Sequence, residues 1–239
     1  MADTITLLPM GCVEEHGVLP VETDTIIAQA FCQLAAARID AVVEPPIGEG
    51  FCPTTCVLKG TKAIGFGEVL SGVEKRIQQL ITAGRKLIII VNIHGGNDAI
   101  LEAVVQNTYM REGFPLLYFN PYTAFAKELD NDFFAVRDNS FKECSLLLAS
   151  LSILGARSVD GPAAREELGR DPLVERLKSV GVVGFSYQTP QQHIAWRPEA
   201  SAQAGRDYLE KAADLFVSVA NDFREYAERI LTWKSPEDQ

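Results

Sequence analysis

The chain has three histidines in 239 residues, and two of them sit among other groups able to bind a metal or move a proton. Gly11-Cys12-Val13-Glu14-Glu15-His16-Gly17 carries two carboxyls and an imidazole, with Asp24 eight residues after His16. Asn92-Ile93-His94-Gly95-Gly96-Asn97 brings a second imidazole beside two glycines. In an extended segment, side chains two apart point the same way, so Glu14 and His16 share a side. A hard carboxylate and a borderline imidazole on one side suit a divalent ion such as Zn²⁺, Mn²⁺ or Fe²⁺. Asp24, in the first turn of a following helix, can fold back toward them. Gly95-Gly96 leaves space beside His94 for a substrate or water, and Asn97 opens a helix whose first amides can orient anionic or carbonyl oxygens. Each feature alone has a plainer meaning: Glu-x-His arises by chance, His-Gly-Gly-Asn also makes a strand-to-helix turn, and an early Asp favours the helix dipole. Their joint placement is what points to a shared site.

That placement depends on the elements around them. Thr4–Pro9, Ala41–Ile47, Lys86–Val91 and Pro115–Phe119 read as strands. Leu87–Val91 is apolar without a break, as in the buried centre of a parallel sheet. Between them, Asp24–Ile39 (with Thr23 placed to cap it), Lys62–Ala83 and Asn97–Arg111 read as helices. Strand and helix in alternation imply βαβ units, right-handed crossovers and helices on both faces of a mainly parallel sheet. The expected fold is therefore α/β, and ligands of such sheets bind beyond the carboxyl ends of the strands, where both histidine loops emerge. From about Asn120 helices dominate, with Glu143–Leu154 and Glu199–Trp233 the clearest, and Val180–Tyr187 is expected as a late strand. No repeat or linker divides the chain, so one domain over residues 1–239 is expected.

Composition narrows the function classes. Hydrophobic residues at 47% and charged residues at 23% suit a single sizeable core. The net charge of −10 lacks the basic excess that phosphate backbones require, which argues against nucleic acid and anionic membranes as partners. No apolar run approaches the ~20 residues of a membrane span. The five scattered cysteines and the absence of a signal-like start at Met1-Ala2-Asp3-Thr4 lead to the expectation of reduced thiols in a cytoplasmic protein. Cys52 and Cys56 have no second pair to complete a structural zinc site.

Several segments together resemble one family. Leu8-Pro9-Met10-Gly11-Cys12-Val13-Glu14-Glu15-His16-Gly17 resembles the LPxGSxEQHG segment of the creatininase (creatinine amidohydrolase) family, and Leu19-Pro20-Val21-Glu22-Thr23-Asp24-Thr25 resembles the LPLGTDT that follows. Gly60-Thr61, Val91-Asn92-Ile93-His94-Gly95-Gly96-Asn97 and Glu143-Cys144-Ser145-Leu146 resemble its later GT, VNGHGGN and ETSL segments in the same order. The resemblance implies a three-layer α/β/α sandwich, a homo-oligomer (a hexamer), and a site with two divalent metal ions. It also implies hydrolysis of a C–N bond in a small cyclic or formyl-type amide by a water that both ions acidify, as hydroxide bridging them. Carried over by position, the ligands are Glu14, His16, Asp24, His94 and Glu143, with Asp24 matching the carboxylate that bridges the ions.

The match departs from the family in the groups around those ligands. The family's proton-shuttle histidine, five residues before the ligand glutamate, is Asp138 here. Gly17-Val18-Leu19-Pro20 is one residue short and lacks a second histidine, and Gly48–Cys56 lacks the histidine often found there. Asp138 and His193 are the candidates for the vacant acid–base role, although nearby cations favour the carboxylate form of Asp138. His193 lies in the loop Gln191-Gln192-His193-Ile194-Ala195-Trp196, and Trp196 either lines a pocket or packs. Glu15 competes with Glu14 as a ligand, and Cys12 and Cys144 read as small packing residues. The rival to an amidohydrolase is a metal-binding, catalytically silent relative that serves as a ligand-binding or partner subunit. Against it stands the cost of gathering acids and imidazoles in one place without a use for them.

Overall fold

In the computed structural model, residues 4–133, 139–159, 169 and 171–232 are described. Along the chain they form β1 (Ile5–Met10), α1 (Thr23–Ala36), β2 (Ala41–Val43), α2 (Phe66–Thr82), β3 (Leu87–Asn92) and α3 (Asp98–Glu112). There follow β4 (Leu116–Phe119), α4 (Pro121–Ala124), α5 (Ala126–Phe133), α6 (Asn139–Ile153), α7 (Pro172–Lys178) and α8 (Ala202–Thr232). The strands make one parallel sheet in the order β2-β1-β3-β4.

The unbroken apolar runs of β1 and β3 are buried on both faces because helices cover both. Alternation along the strands divides the core in two. Ile5, Leu7, Leu87, Ile89 and Val91 pack with α1, α6 and α8, whereas Leu8, Met10, Ile88 and Ile90 pack with α2 and α3. The result is the expected three layers. In α2, Val69, Val73, Ile77 and Leu80 form the buried stripe. Its glycines at 67 and 72 face outward, so they cost little packing.

Three local expectations are corrected. The second strand ends at Val43 rather than Ile47, since Pro45 and Pro46 have no N–H for a ladder, and only an isolated Met10–Ile47 bridge follows. Val180–Tyr187 forms no strand: Val180 and Val182 are exposed, and Tyr187 N–H donates to the Thr54 carbonyl (2.7 Å) instead of joining the sheet. Thr23 is not the cap of α1. Glu22 holds that position without a side-chain cap, while the Thr23 hydroxyl donates to the Pro20 carbonyl (2.6 Å).

The apolar face of α8 is used within the chain. Leu209, Ala213 and Phe216 are fully buried, and Leu215 and Val219 pack against the same core. Its closest approach is to α6, where a Cβ on Gly205 would sit 2.0 Å from the Ser145 carbonyl oxygen. Only glycine permits that contact, which seats the helix carrying Glu143. No helix among the described residues is long and apolar enough to cross a membrane.

Candidate metal centre

β1 leads to β2 on one side, and the chain then returns past β1 to start β3, so β1 and β3 are the neighbours at which strand order reverses. Such a switch point opens a crevice at the carboxyl ends of its strands. Met10 pairs with Asn92 in register, so Gly11 and Ile93 leave the sheet at one level. Alternate residues of the first loop, Cys12, Glu14 and His16, all reach the same cluster. The loop then doubles back through Leu19 N–H to His16 O (3.1 Å) and Glu14 N–H to Val21 O (2.9 Å), which sets Asp24 beside both imidazoles. Asn97 staples three loops. Its amide nitrogen donates to Gly11 O (3.0 Å) and Asn92 Oδ1 (3.1 Å), and its oxygen accepts from Phe51 N–H (2.9 Å).

Asp24 stands between the two imidazoles. Its Oδ1 lies 3.5 Å from His16 Nε2, and its Oδ2 lies 3.0 Å from His94 Nδ1. Glu14 Oε2 adds a contact of 3.2 Å to His94 Nδ1, and Glu143 Oε2 one of 3.9 Å to His16 Nε2. The outer nitrogen of each ring is committed elsewhere. His16 Nδ1–H donates to the Glu14 carbonyl (2.9 Å), and His94 Nε2–H donates to the Phe51 carbonyl (2.8 Å). A neutral ring so fixed aims its remaining lone pair at carboxylate oxygens, which is repulsive unless a proton or a cation lies between. This outer hydrogen bond is also how proteins orient metal-binding histidines.

The glutamates are held in the same manner. Thr55 Oγ1–H donates to Glu14 Oε1 (2.6 Å) and Asn139 Nδ2–H to Glu143 Oε1 (2.7 Å), which leaves each Oε2 turned toward an imidazole. Glu143 Oε2 is buried and has no hydrogen-bond partner among the described residues. Three carboxylates, one of them with an unpartnered buried oxygen, and two imidazole nitrogens form a donor set that suits divalent ions.

The imidazoles and carboxylates of the cluster shift one another's pKa values. Burial opposes a charge on His16, but facing Asp24 and Glu143 outweighs it and raises the imidazole to about 10. His94 is likewise raised well above its ordinary value, against burial, by hydrogen bonds to Asp24 and Glu14. Burial would raise Asp24 and Glu14, yet the two histidines hold Asp24 well below the usual carboxylate range, and His94 lowers Glu14. Glu143 goes the other way, pushed up to about 7 by burial with only partial relief from His16.

His193 enters the same cavity of about 250 Å³, alongside Glu14, His16, Asp24, His94 and Glu143. Its ring lies 4.9 Å from that of His16 and stacks on Tyr187 at 5.1 Å. Nδ1–H donates to the Glu15 carbonyl (2.5 Å), which leaves Nε2 as the nitrogen able to accept a proton. Burial, then the charge on His16, lowers its pKa, so it rests neutral at pH 7.

A family model, Creatininase (creatinine amidohydrolase), matches residues 1–220. The chain belongs to the creatininase family. This creatininase-family chain superposes on a putative creatinine amidohydrolase from Bacteroides fragilis NCTC 9343 with a TM-score of 0.71 at 21% identity, covering 95% of this chain and 91% of that one. A Zn–Zn form of a mutant creatininase gives 0.70 at 20% identity, covering 94% and 91%. A mycofactocin precursor peptide peptidase from Mycobacterium tuberculosis (strain CDC 1551 / Oshkosh) is 30% identical over 109 residues. That match takes in 41% of this chain and only 43% of the mycobacterial one.

Within this creatininase-family protein, Glu14, His16, Asp24, His94 and Glu143 are thus brought together with His193, whereas Asp138 lies outside the described residues. Glu14, not Glu15, faces His94. Trp196 packs beside Leu19, Cys144, Leu147 and Ile194, away from the cavity lining. Cys144 is buried there as expected, but Cys12 is not a packing residue: its sulfur lies 3.3 Å from Asp24 Oδ2. Spacing already carried that signal, since residues 12, 14 and 16 alternate onto one side. Thr55 and Cys52 have no comparable signal, because they arrive on an irregular loop.

Gly95 and Gly96 both line the cavity, and Gly96 also makes room for the bond that orients His94. A Cβ there would lie 2.1 Å from the Phe51 carbonyl oxygen and 2.4 Å from His94 Nε2, the two atoms of the bond that orients His94. Gly96→Ala is expected to lose ~1–3 kcal/mol of stability, as overpacked sites do. Disturbing that outer contact should also weaken metal uptake ~10–100-fold. Denaturant unfolding and metal titration of the variant check both effects.

Proposed function

We propose that the protein is a metal-dependent amidohydrolase in which Glu14, His94 and Asp24 would hold one divalent ion and His16, Asp24 and Glu143 a second. The observation that carries this is Asp24, whose two oxygens face imidazole nitrogens on rings already fixed by backbone carbonyls. Ions held there would polarise an amide carbonyl and acidify water. The chain supplies the rest. Asp24 ties the two halves at a fixed separation, while Thr55 and Asn139 hold Glu14 and Glu143 in place. His193, neutral and with Nε2 free, takes a proton during attack and returns it to the departing nitrogen. An imidazole in the cavity supports catalysis over the catalytically silent alternative, which the missing family histidine and the shortened Gly17–Pro20 loop favour.

Relatives support the class of reaction and divide over the substrate. Solved creatininases include a Zn–Zn form, a Mn form and a mutant complexed with creatine, whereas the mycobacterial relative is a peptide peptidase. The cavity of about 250 Å³ lies below the ~300–1,000 Å³ typical of drug-sized ligands. That size favours a small cyclic or formyl-type amide, or the end of a peptide, over an extended chain. The homo-oligomer that the family implies stands within this proposal.

Chelation and reconstitution test the proposal. The purified protein should take up about two Zn²⁺ or Mn²⁺ per chain and hydrolyse some member of a panel of cyclic amides, N-formyl compounds and short peptides. Activity should vanish with chelator and return with the ion. Because His16 keeps its proton to about 10 and Glu143 to about 7, an entering ion must displace both. Affinity should therefore rise with pH up to about 10, most steeply below about 7, as read by competition with a coloured chelator. An affinity that does not change with pH would remove the imidazoles from the ligand set.

A further inference from the structure

Resting on the metal reading above, we propose that Cys12 and Cys52 join Glu14 and His94 to give one ion a thiolate-bearing seat that selects zinc-class ions over Mn²⁺ or Mg²⁺. One donor atom from each of these four buried side chains lies within 4.8 Å of all the others. Cys12 Sγ is 3.8 Å from Glu14 Oε2, and Glu14 Oε2 is 3.2 Å from His94 Nδ1. Two ligands of one zinc-class ion with bonds of ~2.0–2.3 Å stand about 3–3.7 Å apart, and Cys12 Sγ is also 3.3 Å from Asp24 Oδ2, so small side-chain adjustments bring the two sulfurs onto the ion that Asp24 shares.

A packing role for these thiols does not account for their surroundings. A buried cysteine that acts as a small hydrophobe belongs among apolar neighbours. Cys12 instead abuts the carboxylates of Glu14 and Asp24, and the Cys52 sulfur is turned to the backbone carbonyls of Gly50 (3.8 Å) and Val13 (4.0 Å). An S–H group is a weak donor and compensates poorly for a buried carboxylate. As thiolates on an ion, the same sulfurs satisfy themselves and share the cation with Glu14. Each thiol releases its proton to solvent as its sulfur takes the ion, so the charge balances. Thiolate ligands favour Zn²⁺, Co²⁺ and similar ions, whereas carboxylate-only sets accept Mn²⁺ and Mg²⁺. The set is drawn from three segments: the exit of β1, the exit of β3 and the loop Gly48–Gly60.

Cobalt reports thiolate ligation directly. The full-length protein, stripped with chelator under reducing conditions, is titrated with Co²⁺ and followed in the near ultraviolet. A thiolate-to-cobalt charge-transfer band that saturates at about one Co²⁺ per chain is expected. Cys12→Ser/Cys52→Ser should bind Co²⁺ without the band and lose at least about tenfold in preference for Zn²⁺ over Mn²⁺. If Co²⁺ binds the native protein and the band is missing, the thiolate seat is wrong while the metal site stands. If no Co²⁺ binds at all, both fall. Should the double variant not fold, X-ray absorption of the zinc-loaded native protein decides. Sulfur at about 2.3 Å supports the seat, and nitrogen or oxygen alone at about 2.0–2.2 Å overturns it.

Discussion

Asp24→Asn is expected to abolish the paired metal site and, with it, hydrolysis. The substitution keeps the shape of the side chain and removes the negative charge that both imidazoles face, from Oδ1 at 3.5 Å and Oδ2 at 3.0 Å. A neutral amide with one oxygen is a poor bridge between two cations. Loss of an outer partner of a ligand costs ~10–100-fold in metal affinity, so loss of the shared ligand itself should exceed that range. Elemental analysis should show at most one ion per chain, with turnover below detection on any amide the native protein hydrolyses. The fold should survive, because the substitution keeps the side-chain shape and leaves the apolar clusters on both faces of the sheet intact. Two ions per chain in Asp24→Asn would show that the ligand set has been misassigned.

His193→Gln should separate catalysis from metal binding. Glutamine can keep a hydrogen bond to the Glu15 carbonyl but cannot take and return a proton at neutral pH. Turnover should fall ~10²–10⁴-fold, the usual contribution of a general acid–base group, with metal content unchanged. Asp138→Asn, assayed beside it, tests the other candidate for the same role. If only Asp138→Asn slows turnover, the carboxylate is the shuttle and His193 is a lining residue. If neither variant is slower, no side-chain acid is needed. Metal lost from His193→Gln would instead make His193 a ligand, since a donor nitrogen of His193 lies within 4.8 Å of donors on Glu14 and His16.

Much of the frame that positions this cluster was legible in local pattern. Leu87–Val91 announced a strand buried on both faces, and β1 and β3 are so buried. Alternation placed Glu14 and His16 on one side, and the ordered motifs of the resemblance named Asp24, His94 and Glu143, all of which line the cavity. Errors arose where the local signal was weak or overridden. Pro45 and Pro46 cut the second strand short, and the apolar Val180–Tyr187 stayed outside the sheet.

Local sequence carries what lies close along the chain: the βαβ order, the loops at the strand ends and the side each residue faces. Those follow from backbone periodicity and from which residues lack an N–H or a side chain. Tertiary structure decided the company those loops keep. His193 meets the Glu15 carbonyl across 178 positions, Thr55 reaches Glu14 across 41, and Cys52 joins Cys12 from an irregular loop. No periodicity encodes such approaches. They depend on the close seating of α8 on α6 at Gly205 and on the hydrogen bonds of Asn97 that hold three loops at one crevice. Packing among the described residues is what converts five separated segments into one cluster of acids, imidazoles and thiols.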